Sequence, residues 1–521
     1  MIEGYTAAQV RAAEAPLLER GPEGALMERA AFALAVRVAR LLRERRGAVR
    51  GAGVVALVGP GANGGDALHA GAELARRGVA VTAVTTSGRV HAAGLAALRA
   101  AGGRVLTVVD DGPGGRVWVG DALAEAVAAD VVLDGLLGIG ARGALRAEAA
   151  EIVTLLGELL ADDPAPGAPD VVAVDVPSGI GVDDGGRPGP VLPADLTVTF
   201  GAVKAGLLLP PAAGVAGAIE LVDLGLDLTP DGWDREPAPG GPVVARLEPA
   251  DVAALWPVPG RASHKYTRGV VGVVAGTAAY PGAGVLAVSG AVLSGAGMVR
   301  YLGPSRVADA VLAVRPEVVA GEGRVQAWVL GPGVDPADAE QSTRVRRVLA
   351  AALAGGLPVV ADAGALRLLP GRVRPWVVLT PHAGELAELL GARGEAVDRE
   401  AVEADPLRWA RRAQELTGAT VLLKGPTTLV VGAGEAVWSQ ADGPAWLATA
   451  GSGDVLAGLL GTLLAGRSDD VLADPTLAAA LAAAAAHVHG RAGHRAGPGG
   501  PVHALAVAEA LPGTVAALLR G

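Results

Sequence analysis

The chain has 521 residues, 51% of them hydrophobic and 19% charged. That is too long for one ordinary core and predicts two domains of roughly 200–280 residues. A formal net charge of -10 with no basic run excludes nucleic acid and anionic membrane surfaces as partners, since both need a basic face to meet phosphate. Cysteine is absent, which excludes disulfides, thiolate zinc sites and thiol nucleophiles together and suits a reducing compartment.

Met1–Tyr5 has neither the basic start nor the apolar core of a secretory signal. The apolar stretch Leu477–Ala486 is about half a membrane span and reads as a buried helix. A cytoplasmic location without membrane contact is expected.

Residues 53–58 form a β-branched run that leads into Gly59-Pro60-Gly61-Ala62-Asn63-Gly64-Gly65-Asp66 and then a helical stretch from about Asp66 to Arg77. Strand-like segments recur at Val79–Thr85, Arg104–Val109, Val131–Asp134 and Val171–Asp175 with helical stretches between them. This alternation predicts a parallel sheet covered on both faces, with ligands beyond the carboxyl ends of its strands. The small residues after the first strand let backbone amides approach a phosphate at a helix N-terminus, although a tight structural turn needs the same residues. Their spacing matches neither the P-loop nor G-x-G-x-x-G.

Asp134 ends one strand and opens the glycine-rich stretch Gly135–Gly143, which contains Arg142. Asp175 ends another and precedes Pro177-Ser178-Gly179. Strand-end carboxylates are costly to leave unpaired, so each meets a cation, a ligand hydroxyl or a helix N-terminus, or else simply caps the next helix. Asn63, Asp134 and Ser178 offer only oxygens, which suits a hard cation.

Together, Asn63-Gly64-Gly65-Asp66, Asp134-Gly-Leu-Leu-Gly-Ile-Gly and Val174-Asp175-Val176-Pro177-Ser178-Gly179 resemble the NAD(P)H-hydrate epimerase domain over roughly residues 1–225. The resemblance implies a Rossmann-like three-layer α/β sandwich in which Asn63, Asp134 and Ser178 bind potassium. It further implies that the hydrated dinucleotide is held by Ala62, Asn63, Gly64, Gly65 and Asp66 and by Gly138, Ile139, Gly140, Ala141, Arg142, Gly143 and Ala144, with Asp175 catalytic beside the reacting ring. Two positions depart from the pattern: Ala62 stands where many members have Asn, and Ala67 where many have Gly. These leave open a reading of this domain as a non-catalytic binding module.

Residues 226–241 are polar, rich in Pro and Gly and without periodicity, and read as a linker. Alternation resumes with strand Val270–Ala275, helix Gly282–Ala296 and strands Ala327–Leu330, Val359–Asp362, Val377–Thr380 and Thr420–Leu423. From Asp454 onward the chain reads as helical. Gly451-Ser452-Gly453-Asp454 begins an apolar helix, giving backbone amides for a phosphate and a carboxylate for a hydroxyl proton, as phosphoryl transfer requires. An aspartate there also serves as a simple cap. Lys424-Gly425-Pro426-Thr427-Thr428 places an ammonium and hydroxyls at a strand end. The chain has only three lysines, Lys204, Lys265 and Lys424.

The segments Gly276–Ala283, Leu330-Gly331-Pro332-Gly333, Thr380-Pro381-His382, the Lys424 stretch and Gly-Ser-Gly-Asp occur in the order of the ribokinase-like NAD(P)H-hydrate dehydratase domain, which residues 242–521 resemble. The resemblance implies a second three-layer α/β domain in which Ala283, Gly333, His382 and Asp454 contact the hydrate. Lys424, Gly425, Pro426, Thr427, Thr428 and Gly453 would hold ADP, with Asp454 as catalytic base and magnesium at the transferred phosphate. The expected protein is a bifunctional enzyme of nicotinamide nucleotide repair acting on small molecules, and a homo-oligomer. The competing reading is a small-molecule kinase with an accessory domain, which a stable phosphorylated product would reveal.

Overall fold

The computed structural model describes all residues except 23, 163–166, 229–240 and 336, and the side chain of Asp162. The chain divides into two compact units, Glu3–Val243 and Val244–Gly521 together with Met1–Ile2. The expected linker 226–241 falls largely on residues 229–240, outside the described residues.

In the first unit, Gly53–Val58 lies between Val131–Gly135 and Ala80–Thr85 in an eight-stranded sheet. Its order is Ala218–Val222, Leu196–Phe200, Asp170–Val174, Val131–Gly135, Gly53–Val58, Ala80–Thr85, Arg104–Thr107 and Gly115–Arg116, and every pairing is parallel. The continuous apolar run of the central strand follows from burial on both sides. Val54, Ala56 and Val58 pack with residues of helices Ala25–Arg46 and Ala62–Arg76 on one face. Val55 and Leu57 pack with residues of Val119–Val127 and Ala147–Asp162 on the other.

One expectation is corrected here. The helix begins at Ala62, not Asp66, so Ala62–Gly65 is its first turn rather than a loop. Gly64 permits this: a Cβ at that position would run into the carbonyl oxygen of Gly59, so only glycine lets the helix start hard against the strand end.

In the second unit the parallel strands run in the order Val319–Ala320, Met298–Tyr301, Val270–Val274, Ala327–Leu330, Val359–Ala361, Val377–Leu379 and Thr420–Leu423. Thr428–Val431 and Val437–Gln440 then continue the sheet antiparallel. Lys424–Thr427 is therefore the turn of a hairpin. Helices Pro281–Leu293, Ser452–Gly466, Leu477–Ala496 and Ala504–Leu518 cover one face, contributing Val288, Leu459, Leu481 and Leu511 to a core with Val271, Val329 and Val378. Every residue of the second of these helices from Val455 to Ala465 is buried. Among the described residues, no helix is long and apolar enough to cross a membrane.

Candidate active sites

The strand-end carboxylates of the first unit do not cap helices. Asp134 is fully buried, and its Oδ1 accepts from Ser178 Oγ at 2.6 Å while Oδ2 accepts from Ser178 N–H at 2.8 Å. Ser178 Oγ also accepts from Leu137 N–H at 2.8 Å, and Asn63 Nδ2 donates to Leu137 O at 2.9 Å. Asn63, Asp134 and Ser178 thus meet around one short segment. Burial pushes the Asp134 carboxyl upward, opposed by the bonds from Ser178. No basic side chain among the described residues pairs with it. A single buried carboxylate among neutral oxygens fits a monovalent cation.

Asp175 is arranged differently. Its backbone lies in the left-handed region at φ 67°, uncommon for a residue with a Cβ. Its Oδ1 accepts from Phe200 N–H at 3.1 Å, Thr199 Oγ1 at 3.2 Å and the Lys204 ammonium. Lys204 is 1% exposed, and its remaining protons reach Phe200 O at 2.8 Å and Thr199 Oγ1 at 3.2 Å. The ammonium is saturated, while no described donor reaches Asp175 Oδ2. Asp66 is half-buried just after the first turn of its helix, and burial followed by the Asp175 charge holds its carboxyl well above the usual range. Of the expected hydrate segment Gly138–Ala144, Ile139 packs against the unit's N-terminal residues and Arg142 is exposed.

In the second unit the expected residues sit at strand ends and at helix starts: Ala283 in the first turn of Pro281–Leu293, Gly453 and Asp454 in that of Ser452–Gly466, and Thr428 at the head of a strand. A Cβ on Gly333, at φ 61°, would collide with the Ala283 methyl, so these two positions touch. His382 and Lys424 form a parallel bridge, and a Cβ on Gly453 would stand 3.3 Å from Lys424 Nζ. A cavity of about 450 Å³ is lined by Tyr280, Gly333, Ala363, Arg367, His382 and Glu385. His382 also caps helix Ala383–Gly391, its Nδ1 accepting from Glu385 N–H at 3.2 Å.

Gly451, not Asp454, occupies the N-cap of helix Ser452–Gly466, and Asp454 has no hydrogen-bond partner among the described residues. Lys424 Nζ lies 2.9 Å from Asp362 Oδ1 and 3.7 Å from Glu385 Oε2. Burial, then the charges of Asp362 and Glu385, push Asp454 up to about 7 against the pull of Lys424. Such a carboxylate is poised to accept a proton near neutrality. Thr428 opens a strand, and Thr427 is buried beside the exposed Gly425 and Pro426.

Two family models match, "YjeF-related protein N-terminus" over residues 23–206 and "NAD(P)H-hydrate dehydratase" over residues 271–504. The chain is 43% identical over 477 residues to the bifunctional NAD(P)H-hydrate repair enzyme Nnr of Mycobacterium tuberculosis, covering 88% of this chain and 89% of that one. It belongs to the bifunctional NAD(P)H-hydrate repair enzyme family. Another relative, the NAD(P)H-hydrate epimerase of Clavibacter michiganensis subsp. michiganensis, is 46% identical over 236 residues, 44% of this chain and 92% of that protein. A solved ADP/ATP-dependent NAD(P)H-hydrate dehydratase from Bacillus subtilis, co-crystallised with ATP/Mg2+, is similar at 27% identity and TM-score 0.46, covering 53% of this chain and 99% of that one.

Several residues of this repair-enzyme chain that shape the sites escaped the sequence reading. Lys204 was visible as one of three lysines, but nothing local linked it to Asp175. Asp362 ends a strand as Asp134 and Asp175 do, and that signal alone could have marked it. Glu385 stands three residues after His382, the spacing of a capping box.

Proposed function

We propose that residues 1–225 epimerise the R and S forms of hydrated NADH and NADPH, that 226–241 join the domains, and that 242–521 dehydrate the S form at the expense of ADP. Water added to a dihydronicotinamide places a hydroxyl on the ring carbon next to nitrogen. In the second domain that hydroxyl oxygen attacks the terminal phosphorus of ADP and its proton passes to Asp454, while the bond to AMP breaks. The new phosphate ester then leaves as phosphate, the neighbouring ring carbon loses a proton, and NAD(P)H is restored. Magnesium accompanies the nucleotide phosphates. The observation that carries this reading is the free Asp454 carboxylate at a helix N-terminus beside the Lys424 ammonium.

Ala283, Gly333 and His382 surround the hydrate in this reading, and Lys424–Thr428 with Gly453 hold ADP. Potassium would be held by Asn63, Asp134 and Ser178, where it supplies fixed positive charge opposite a buried carboxylate. The protein is read as cytoplasmic and homo-oligomeric. The deciding experiment incubates mixed R and S hydrates with ADP and magnesium and follows reduced-nicotinamide absorbance. Recovery of both epimers is expected; recovery of the S fraction alone would remove the epimerase assignment, and a stable phosphorylated product would indicate a kinase.

Two substitutions test the parts. Asp134→Asn should slow epimerisation and abolish its response to potassium, with dehydration of purified S hydrate held within about twofold. Equal loss of both activities would mean a folding defect and overturn the potassium assignment. Lys424→Met should weaken ADP binding more than hydrate binding, because it removes an ammonium whose charged form the neighbouring carboxylates favour although burial opposes it. Unchanged ADP affinity in calorimetry would refute that placement.

A further inference from the structure

The N-terminal helix Ala7–Arg20 lies outside residues 23–206, the span of the matching family model, yet several contacts tie it to the first site. Gly4 and Tyr5, just before it, pair in parallel with Val203 and Lys204, the lysine that holds Asp175. Val10 is fully buried in a small cluster with Tyr5 and Ala202, against which Ile139 packs. Arg11 Nη2 donates to Ile139 O at 2.7 Å, inside the expected hydrate segment. Glu14 follows Val10 by four residues and Arg11 by three, so all three share one helix face.

Glu14 is half-buried and has neither a hydrogen bond nor an ion pair among the described residues. The charges acting on it are those of Lys204, Asp175 and Arg11, and Asp66 in turn feels Asp175, Lys204 and Glu14. Glu14 and Asp66 therefore lie within electrostatic reach of the Asp175–Lys204 pair, whose ammonium is already saturated. Burial, then the Asp175 charge against the pull of Lys204, holds Glu14 above the usual carboxylate range. Asp175, by contrast, keeps a direct cationic partner and a free Oδ2. An unpartnered carboxyl on the helix and a carboxylate with one oxygen left free at the strand end thus stand within electrostatic reach of each other.

We propose that Glu14 is a further catalytic residue of the epimerase, protonating the hydrate hydroxyl as it leaves one face of the ring while Asp175 takes a proton from the water that adds to the other. This rests on the reading of the first unit as the epimerase. The Glu14 proton goes to the hydroxyl oxygen, the C–O bond breaks and water departs as the ring-nitrogen lone pair forms a C=N bond. Water then bonds the same carbon from the opposite face, the C=N pair returns to nitrogen, and Asp175 receives the released proton. Return of that proton to Glu14 by way of Asp66 completes the cycle with no net consumption. Lys204 is a positioning residue, acting through Asp175.

The test compares Glu14→Gln, Glu14→Asp and Asp175→Asn in the full chain. For Glu14→Gln the expected result is a fall of about a hundredfold in epimerase kcat with KM changed by less than about threefold, an unaltered melting temperature and normal dehydration of S hydrate. Glu14→Asp should recover about tenfold of the lost turnover, since it restores a carboxyl that holds and releases a proton. Wild-type turnover in Glu14→Gln overturns the proposal. So does a loss confined to KM, or one matched by a lowered melting temperature with Glu14→Asp equally impaired, because the helix would then only support the loop. If Asp175→Asn is inactive while Glu14→Gln is not, only the role of Glu14 fails; if the wild-type chain itself does not epimerise the hydrates, the epimerase reading of the unit fails.

Discussion

Asp454→Asn is expected to lower dehydratase turnover by roughly a hundred- to ten-thousandfold while ADP and hydrate still bind and epimerisation continues unchanged. Asparagine keeps the shape of the side chain in the first turn of helix Ser452–Gly466 but removes its basicity. The effect should be large because the surroundings have already raised the affinity of this carboxylate for a proton, to a pKa of about 7. A carboxylate with an ordinary pKa would be a weaker base. The same elevation sets a pH dependence. Protonated Asp454 is no longer basic enough to take the hydroxyl proton, so dehydratase kcat/KM should fall as pH drops below about 7 and level off above it. Epimerase activity measured on the same samples should not follow that curve. If Asp454→Asn stays within a fewfold of wild type, the proposed mechanism of the second domain is wrong.

Lys204→Met should destabilise the first unit and abolish epimerisation together. The pair with Asp175 is enclosed, with side-chain exposures of 1% and 11%. Removing one partner leaves the other charge without its cation, a change that costs about 3–5 kcal/mol in comparable buried pairs. Methionine matches the length of the lysine stem, so lost packing contributes little. Adding Asp175→Asn should restore most of the stability without restoring activity, because asparagine carries no charge and tolerates the left-handed backbone at this position. Denaturant unfolding of the single and double variants, followed beside epimerase assays, measures both effects. A Lys204→Met protein that unfolds at the wild-type midpoint would show that the pair holds nothing together.

Much of the fold could be read in the sequence because its strands are short β-branched runs ending at glycines or aspartates, as Gly53–Val58 and Val131–Gly135 do. The start of helix Ala62–Arg76 could not, since Asn63, Gly64 and Gly65 have low helix propensity and only the close approach to Gly59 explains a helix there. The hairpin around Lys424–Thr427 carried its own signal, a Gly-Pro pair between two β-branched runs, although only the strand before it was expected. Asn63, Asp134 and Ser178 were legible because each belongs to a glycine-rich segment. Lys204 and Glu14 lie on ordinary strand and helix sequence; only tertiary packing pairs Lys204 with Asp175 and puts Glu14 within reach of their charges.

The clamp on Asp175 has a consequence for the direction of repair. Three donors fix one carboxylate oxygen, and the strained backbone fixes the residue itself, so the group lacks the swivel by which a single base serves both sides of a flat intermediate. In the mechanism proposed above, conversion from R to S and from S to R runs through one shared intermediate with the acid and base roles exchanged. The ratio of the two specificity constants stays pinned to the equilibrium between the epimers. No substitution at Asp175 alters which epimer predominates once the mixture has settled; it changes only how soon that balance is reached.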